Sequence, residues 1–276
     1  MDKQEKIRQI IDSERLRQLE AKIPQRDHYL DEKRSSFLDP QLFFMQFPSV
    51  YAFMQYLLEP QVPFRGWKKE ITDIGSKVVV NLGCGTHSLH PEMINVDLTP
   101  FRHVDIVADF REPLPICSES VDYVLSIAVF EHIRDPGFLA AEVKRILKPG
   151  GKITIVTPFL YPFHAAPDDF NRWTIPGITA LLGDSFKVVS AGNCGGPFGV
   201  ILLSMAHACA QLLCFGSPKL YSLFNFSFMG LFIPLKFIDM IFAHLPFASA
   251  LAPTLHMTAV KHAAGGCVVD LQTPIR

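Results

Sequence analysis

Residues 158–174 crowd a histidine, two aspartates, an arginine, a tryptophan and a tyrosine into one short stretch. An imidazole titrates near neutral pH, so His164 is the first candidate for a group that removes a proton. Asp169 can orient that imidazole or act in its place. Arg172 can bind an acidic group on a ligand or pair with Asp169. Thr174 stands just before a helical pattern that starts near Ile175, where it reads as the helix cap. A second set is built on main chain. In Asn81-Leu82-Gly83-Cys84-Gly85, the two glycines permit a sharp turn and leave no Cβ between the N–H groups and a ligand. Asp97 lies twelve residues beyond Gly85, where its carboxylate can accept hydrogen bonds from both hydroxyls of a ribose. At Asp109-Phe110 a carboxylate can receive an exocyclic amine and a ring can lie against a purine face.

The elements that must place these groups are legible around them. Residues 78–82 open on the continuous apolar, β-branched run Val78-Val79-Val80, the pattern of a strand covered on both faces in a parallel sheet. Residues 93–97, 104–108 and 121–126 read as further short strands, each ending near a polar group. A helix is expected over 136–147, stopped at Lys148-Pro149-Gly150-Gly151, with a fifth strand over 152–157. The glycines, Asp97, Asp109 and the 158–174 loop then share the carboxyl edge of one sheet, where ligands bind in such folds. The stretch 86–92 is too short for a crossover helix and contains Pro91. It is expected to be an irregular turn or a single helical turn. That argues against a dinucleotide, whose pyrophosphate needs a long helix N-terminus and an acid about 20 residues on.

With five motifs in this order, the chain resembles the class I S-adenosylmethionine-dependent methyltransferases of the type 11 branch. The matching pieces are Asn81-Leu82-Gly83-Cys84-Gly85, Val96-Asp97, Ala108-Asp109, Phe130-Glu131-His132 and Leu147-Lys148-Pro149-Gly150-Gly151. In the later loop His164, Pro167, Asp169, Arg172 and Thr174 fill a pattern that type 11 members often show. The resemblance covers residues 77 to about 192, with a last strand near 255–262. It implies an α/β fold: a doubly wound, mostly parallel seven-stranded sheet with a shortened first crossover, N-terminal helices and an apolar helical insert before the last strand. It implies S-adenosylmethionine as cofactor, held by Asn81, Gly83, Cys84, Gly85, Asp97, Leu98, Asp109, Phe110, Ser126, Ile127 and His132. Two positions depart from the family. The first acidic position is Asn81, which carries no charge for the cofactor's ammonium, and the third glycine is His87. Glu131 is expected to hydrogen-bond at the start of the segment that follows the fourth strand.

Four segments follow from composition: an N-terminal helical extension over 1–75, the cofactor-binding core over 76–192, a hydrophobic insert over 193–254, and a last strand with its tail over 255–276. Residues 1–34 carry 17 charged residues with an apolar stripe at helical spacing. Residues 42–58 are rich in Phe, Met and Tyr and can cap the cleft with Tyr51 or Tyr56, or simply pack on the sheet. The insert is the opposite of the N-terminus. Lys219, Lys236 and Asp239 are the only charged residues in 194–260. Such an insert can be a buried lid, a pocket for an apolar substrate, or a hairpin dipping into a membrane through residues 198–247.

The net charge of −1 leaves no footprint for nucleic acid. Six scattered cysteines read as reduced thiols, with a cytoplasmic location that extends to peripheral membrane contact. No metal is expected: His87, His90 and His103 lack a carboxylate or thiol partner at ligand spacing. The expected reaction is in-line transfer of a methyl group to an oxygen or nitrogen of a small-molecule or lipid- or glycan-linked acceptor. A non-catalytic cofactor-binding scaffold that docks through the insert is the alternative.

Overall fold

The computed structural model describes residues 2–22, 74–85, 88–164 and 168–263. Its centre is a seven-stranded sheet of β1 (Val79–Leu82), β2 (Ile94–Asp97), β3 (Ile106–Val107), β4 (Val121–Ile127), β5 (Leu147–Pro158), β6 (Phe186–Asn193) and β7 (Thr254–Lys261), in the spatial order β3-β2-β1-β4-β5-β7-β6. The pairs among β1 to β5 are parallel, whereas β7 runs antiparallel between β5 and β6. β6 therefore points the same way as β1 to β5. All six end on one edge.

Val79, Val80, Asn81 and Leu82 are all buried, as a strand covered on both faces requires. Leu82 and Val80 pack with Val96, Ile94, Val124 and Ile155 into the main core. The helix between β4 and β5, α3 (Pro136–Ile146), buries Leu139, Val143 and Ile146 and is capped by Asp135, which accepts the Phe138 N–H at 3.3 Å. Thr174 caps α4 (Ile175–Leu182) by accepting the Gly177 N–H at 3.1 Å. The stretch 88–93 contains turns and no helix. The fifth strand differs from expectation. It starts at Leu147 and carries straight through the glycines, because Leu147 pairs with Val121 before a register shift hands the ladder to Tyr123 and Lys152. Gly150 takes φ +78 within that irregularity.

Two N-terminal helices, α1 (Lys3–Ile10) and α2 (Ser13–Lys22), are tied to the opposite edge, where the strands begin. Ile11 bridges Ile116, the Cys117 N–H donates to Ile10 O at 2.7 Å, and Lys3 pairs with Asp105 at 2.7 Å. The fully buried Lys6 donates to Gly75 O at 2.9 Å. Residues 42–58, with the proposed cap at Tyr51 or Tyr56, lie outside the described residues.

Between β6 and β7 the chain leaves the sheet as a helical hairpin, α5 (Pro197–Leu213) and α6 (Pro218–Phe242). Both ends of this hairpin are rooted at the carboxyl edge. The Cys194 N–H donates to Thr254 O at 3.0 Å, and the N–H groups of Phe159 and Leu160 donate to Pro253 O and Ala252 O. α5 and α6 pack against each other, yet Leu212, Phe215, Leu223, Leu231, Met240 and Ile241 stay exposed. Pro234 inside α6 removes one helical hydrogen bond without ending the helix.

On β7, His256 is 4 % exposed and lies against Gly192, where an added Cβ would stand 3.0 Å from its ring. Burial pushes its pKa down to about 4. The unfolded chain takes up this proton near the ordinary value of about 6.5 and the folded chain does not. Stability from the neutral ring is thus complete above pH 6.5 and is lost as pH falls toward 4, by about 3 kcal/mol for a shift of this size. Urea midpoints measured between pH 7 and pH 4 should fall along that slope, and His256→Asn should flatten it.

Candidate active site

The β1 turn is where the sequence places it. Gly83 has φ +70 and Gly85 φ +57, a region that favours glycine. A Cβ on Gly83 would lie 2.3 Å from Val129 Cγ2, whereas one on Gly85 would meet nothing within 4 Å. One glycine is thus packed against the loop after β4, and the other faces open space. Asp97, at the tip of β2, accepts the Gly85 N–H at 2.8 Å and the Thr99 N–H at 2.9 Å. Two main-chain donors fix its carboxylate beside the bare turn. At the tip of β4 the Ser126 Oγ is buried and has no hydrogen-bond partner.

Other expected cofactor residues are engaged within the protein. The Asn81 amide donates across the sheet to Asn95 Oδ1 at 3.2 Å, with both side chains buried. Asp109 is gripped by the Arg111 guanidinium, with Nε 3.0 Å from Oδ1 and Nη2 2.9 Å from Oδ2. The Arg111 side chain is largely exposed, so the guanidinium stands on the solvent side of Asp109, where an exocyclic amine was expected. Phe110 is buried against Gly83 and forms part of the floor. Burial pushes the Cys84 thiol up to about 12, which leaves it inert as a nucleophile. Leu98 and Ile127 lie at the tips of β2 and β4, both partly exposed.

The loop after β5 folds back over the end of β4. The N–H groups of Phe170 and Asn171 donate to Glu131 O at 2.8 and 3.3 Å, and the Asn171 amide reaches Ile133 O at 3.1 Å. This brings His164 to the short 3₁₀ turn Phe130–His132. Asp169 accepts the His164 main-chain N–H at 2.9 Å and lies 3.4 Å from His164 Nδ1. Arg172 forks onto both Asp169 oxygens and also donates to Tyr161 O, Pro162 O and Asn171 O. All five guanidinium protons are therefore engaged within this loop. Burial alone would raise the Asp169 pKa, but the Arg172 fork and the His164 N–H bring it below the usual carboxylate range. The Asp169 bonds raise that of Arg172 in turn. Asp169 and Arg172 thus position His164 and shape the loop.

Glu131 is the residue that sequence reasoning misplaced. Instead of supporting a helix start, its carboxylate is fully buried and faces two imidazoles. Oε1 lies 3.9 Å from Nε2 of both His132 and His164 and has no hydrogen-bond partner, while Thr157 reaches Oε2 at 3.4 Å. Burial is the main reason its pKa is pushed up to about 7, with Asp169 adding to it. Burial lowers the pKa of His164. The two imidazoles meet edge to face at 5.2 Å, and Tyr161 lies 5.0 Å from His164. A buried carboxylate that titrates near neutrality beside two imidazoles can hold or pass a proton.

Residues 80–155 match the methyltransferase domain family. A malonyl-[acyl-carrier protein] O-methyltransferase of Hahella chejuensis is 30% identical over 111 residues, which span 32% of this chain and 40% of that protein. Among solved structures, a chain of the complex between the Haloferax volcanii Trm112 methyltransferase activator and a methyltransferase aligns with 17% identity and a TM-score of 0.48, covering 83% of this chain and 100% of its own. A phosphoethanolamine N-methyltransferase of Haemonchus contortus, solved with S-adenosyl-L-methionine, aligns with 18% identity and a TM-score of 0.45, covering 82% and 60%.

The family match over residues 80–155, with the sheet order and the antiparallel β7, supports reading this part of the chain as a class I S-adenosylmethionine-dependent methyltransferase domain of the type 11 branch. S-adenosyl-L-methionine is the cofactor of that family. The residues present fit it: a bare glycine turn open to a ligand, a fixed carboxylate at the neighbouring strand tip, and an orphaned buried hydroxyl at Ser126.

Proposed function

We propose that this chain transfers the methyl group of S-adenosylmethionine to an oxygen or nitrogen of a lipid-linked or otherwise apolar acceptor reached at a membrane surface. The cofactor supplies a methyl already activated on a sulfonium, so no covalent nucleophile is needed. The protein has to align the acceptor in line with the methyl and take its proton. His164, with Glu131 behind it and Asp169 beside its Nδ1, is the group we assign to that proton. The acceptor class is argued from one observation: the apolar hairpin is rooted on the same sheet edge as Gly83, Asp97 and His164.

Several features favour a bilayer as what the hairpin meets. At 1.5 Å per residue, α5 is about 25 Å long and α6 about 37 Å, against roughly 30 Å of hydrocarbon. Of the described helices α6 alone is long and apolar enough to cross a membrane, and most of it is exposed. The exposed apolar residues recur at helical spacing, Ile201, Met205 and Leu212 on α5 and Leu220, Leu223, Leu231, Phe237 and Ile241 on α6, so an apolar face runs the length of each helix. His207 and Tyr221 hydrogen-bond to each other between the helices, the arrangement polar groups need in an apolar surround. Lys236 and Asp239 lie at the root, and Phe215 is 87% exposed at the tip. Because both ends return to one edge, the hairpin enters and leaves from the same side. The Hahella chejuensis relative is named for a malonyl carrier, an acidic acceptor. Arg172 has no proton left to bind an acid of that kind here, which weighs toward a neutral acceptor group.

The test is methyl-labelled cofactor incubated with purified protein and either lipid extract or the aqueous fraction of a lysate. Label should enter the organic phase, and the protein should float with liposomes. A double change, Leu212→Asp with Phe215→Asp, should remove flotation and lipid labelling at least about tenfold, with S-adenosylhomocysteine still bound. Labelling confined to water-soluble products, with no flotation, would overturn the membrane reading. Cofactor binding with no turnover on any fraction would leave the scaffold alternative, to which the uncharged Asn81 lends support.

A further inference from the structure

We propose that Glu131, His132 and His164 form a binding site for one divalent transition-metal ion. Each residue offers a ligand atom within 4.8 Å of the others. Glu131 Oε1 stands 3.9 Å from each Nε2. Two ligands about 2.1 Å from one cation lie roughly 3.0–3.4 Å apart at octahedral or tetrahedral angles, so each Glu131–imidazole pair has to close by about 0.5–0.9 Å and the two imidazole nitrogens by at most about 1.8 Å, a side-chain adjustment rather than a refolding of the loop.

The hydrogen bonds point the same way independently. His132 Nδ1 faces the carbonyl oxygen of Asp168. His164 Nδ1 faces Pro162 O and Asp169 Oδ2, both at 3.4 Å. Carbonyl and ionised carboxylate oxygens only accept, so both Nδ1 atoms carry the proton and both Nε2 lone pairs turn toward Glu131. Three electron-rich atoms then converge on one point, and Oε1, fully buried, has no donor. Imidazoles whose other nitrogen donates to a carbonyl or carboxylate are the usual arrangement around a bound metal. One proton satisfies only one of those contacts, whereas a cation satisfies all three.

Two imidazoles and one carboxylate on one side select zinc, iron(II), manganese or cobalt over magnesium or calcium. Exposure rises from Glu131 at 0% through His132 at 15% to His164 at 34%, so the remaining positions open on the His164 side, toward the cleft. This part of the inference stands without any reaction. The role of the ion rests on the methyl-transfer reading. An acceptor hydroxyl at an open position loses its proton to water. Its oxygen then forms the O–C bond while the S–C bond breaks, its electron pair going to sulfur, and His164 serves as ligand instead of base.

The experiment titrates the full chain, first stripped with chelator, with cobalt(II) and zinc(II). Cobalt binding is read by visible absorption and zinc by calorimetry. One equivalent should bind at micromolar affinity or tighter. Glu131→Gln and His164→Ala should each weaken it by about a hundredfold, as loss of a ligand does. S-adenosylhomocysteine calorimetry on the same samples reports the fold. His90→Ala, outside the cluster, should bind metal like the parent. No binding below millimolar metal, or binding unmoved by both variants, would overturn the site. Metal binding without turnover would instead count against the methyl-transfer reading and leave the site standing.

Discussion

Asp97→Ala should weaken binding of S-adenosylhomocysteine by at least about a hundredfold, since each hydrogen bond to a charged group is worth roughly 1.5–3 kcal/mol and a ribose offers two hydroxyls. The geometry makes this residue hard to replace. Its oxygens already accept the N–H groups of Gly85 and Thr99, so the carboxylate is fixed before any ligand arrives and loses little freedom on binding. Each oxygen keeps a further lone pair for a hydroxyl. The same bonds hold the Gly83–Gly85 turn open beside it, so alanine removes both a ligand and a support. Asp97→Asn separates the two contributions. It keeps one acceptor and should fall between wild type and alanine. Calorimetry reads the affinity, and a thermal melt without ligand reports whether the turn has damaged the fold. Asp97→Ala protein that melts normally and binds the ligand at full strength would remove the adenosyl site from this edge.

What the sequence could reveal here was whatever depends on near neighbours. The β1 run and its glycines, the helix-free turns over 88–92 and the Thr174 cap are all set within a few residues. The apolar helical insert before β7 was legible from three charges in 67 residues, but its form, lid, pocket or hairpin, was not. What it hid depends on distant pairing. Strand β5 begins at Leu147 because β4 offers a partner there, although Lys148-Pro149-Gly150-Gly151 reads locally as a stop. Asn81 looks like a weakened cofactor ligand until Asn95 is seen beside it on β2. Glu131 looks like a helix-start residue until the loop from β5 lays His164 against it, 33 positions later. A Glu-His pair after one strand and a His after the next is the signal that could have raised the question. Their distance required the fold.

Asp239→Ala should have the largest effect on stability, because one buried carboxylate holds the root of the hairpin. Asp239 is 0% exposed. Its oxygens accept the N–H groups of Gly196 at 3.1 Å, Phe198 at 3.2 Å and Gly199 at 2.7 Å. These are donors at the start of α5, of which the Gly199 N–H also reaches Gly196 O at 3.1 Å, and Gly196 itself offers no capping side chain. A residue near the end of α6 therefore caps the start of α5, with its negative charge at the positive end of the helix dipole. The fit is close, since a Cβ on Gly196 would fall 2.4 Å from Asp239 Oδ1. Alanine leaves the N–H groups of Gly196 and Phe198 without their acceptor, and that of Gly199 with Gly196 O at 3.1 Å alone, and should cost about 3–5 kcal/mol, while asparagine, keeping one oxygen, should cost about half as much. The loss should be local to the hairpin. Hydrogen exchange at Gly196, Phe198 and Gly199 should quicken, and proteolysis should appear near residues 194–199. The β1 turn lies on other strands, so S-adenosylhomocysteine should still bind. Flotation and turnover on a lipid-linked acceptor should both fall, because a loosened root no longer sets the apolar helices at a fixed angle to the cleft. Full lipid turnover in a variant whose root exchanges freely would separate the hairpin from catalysis and confine it to anchoring.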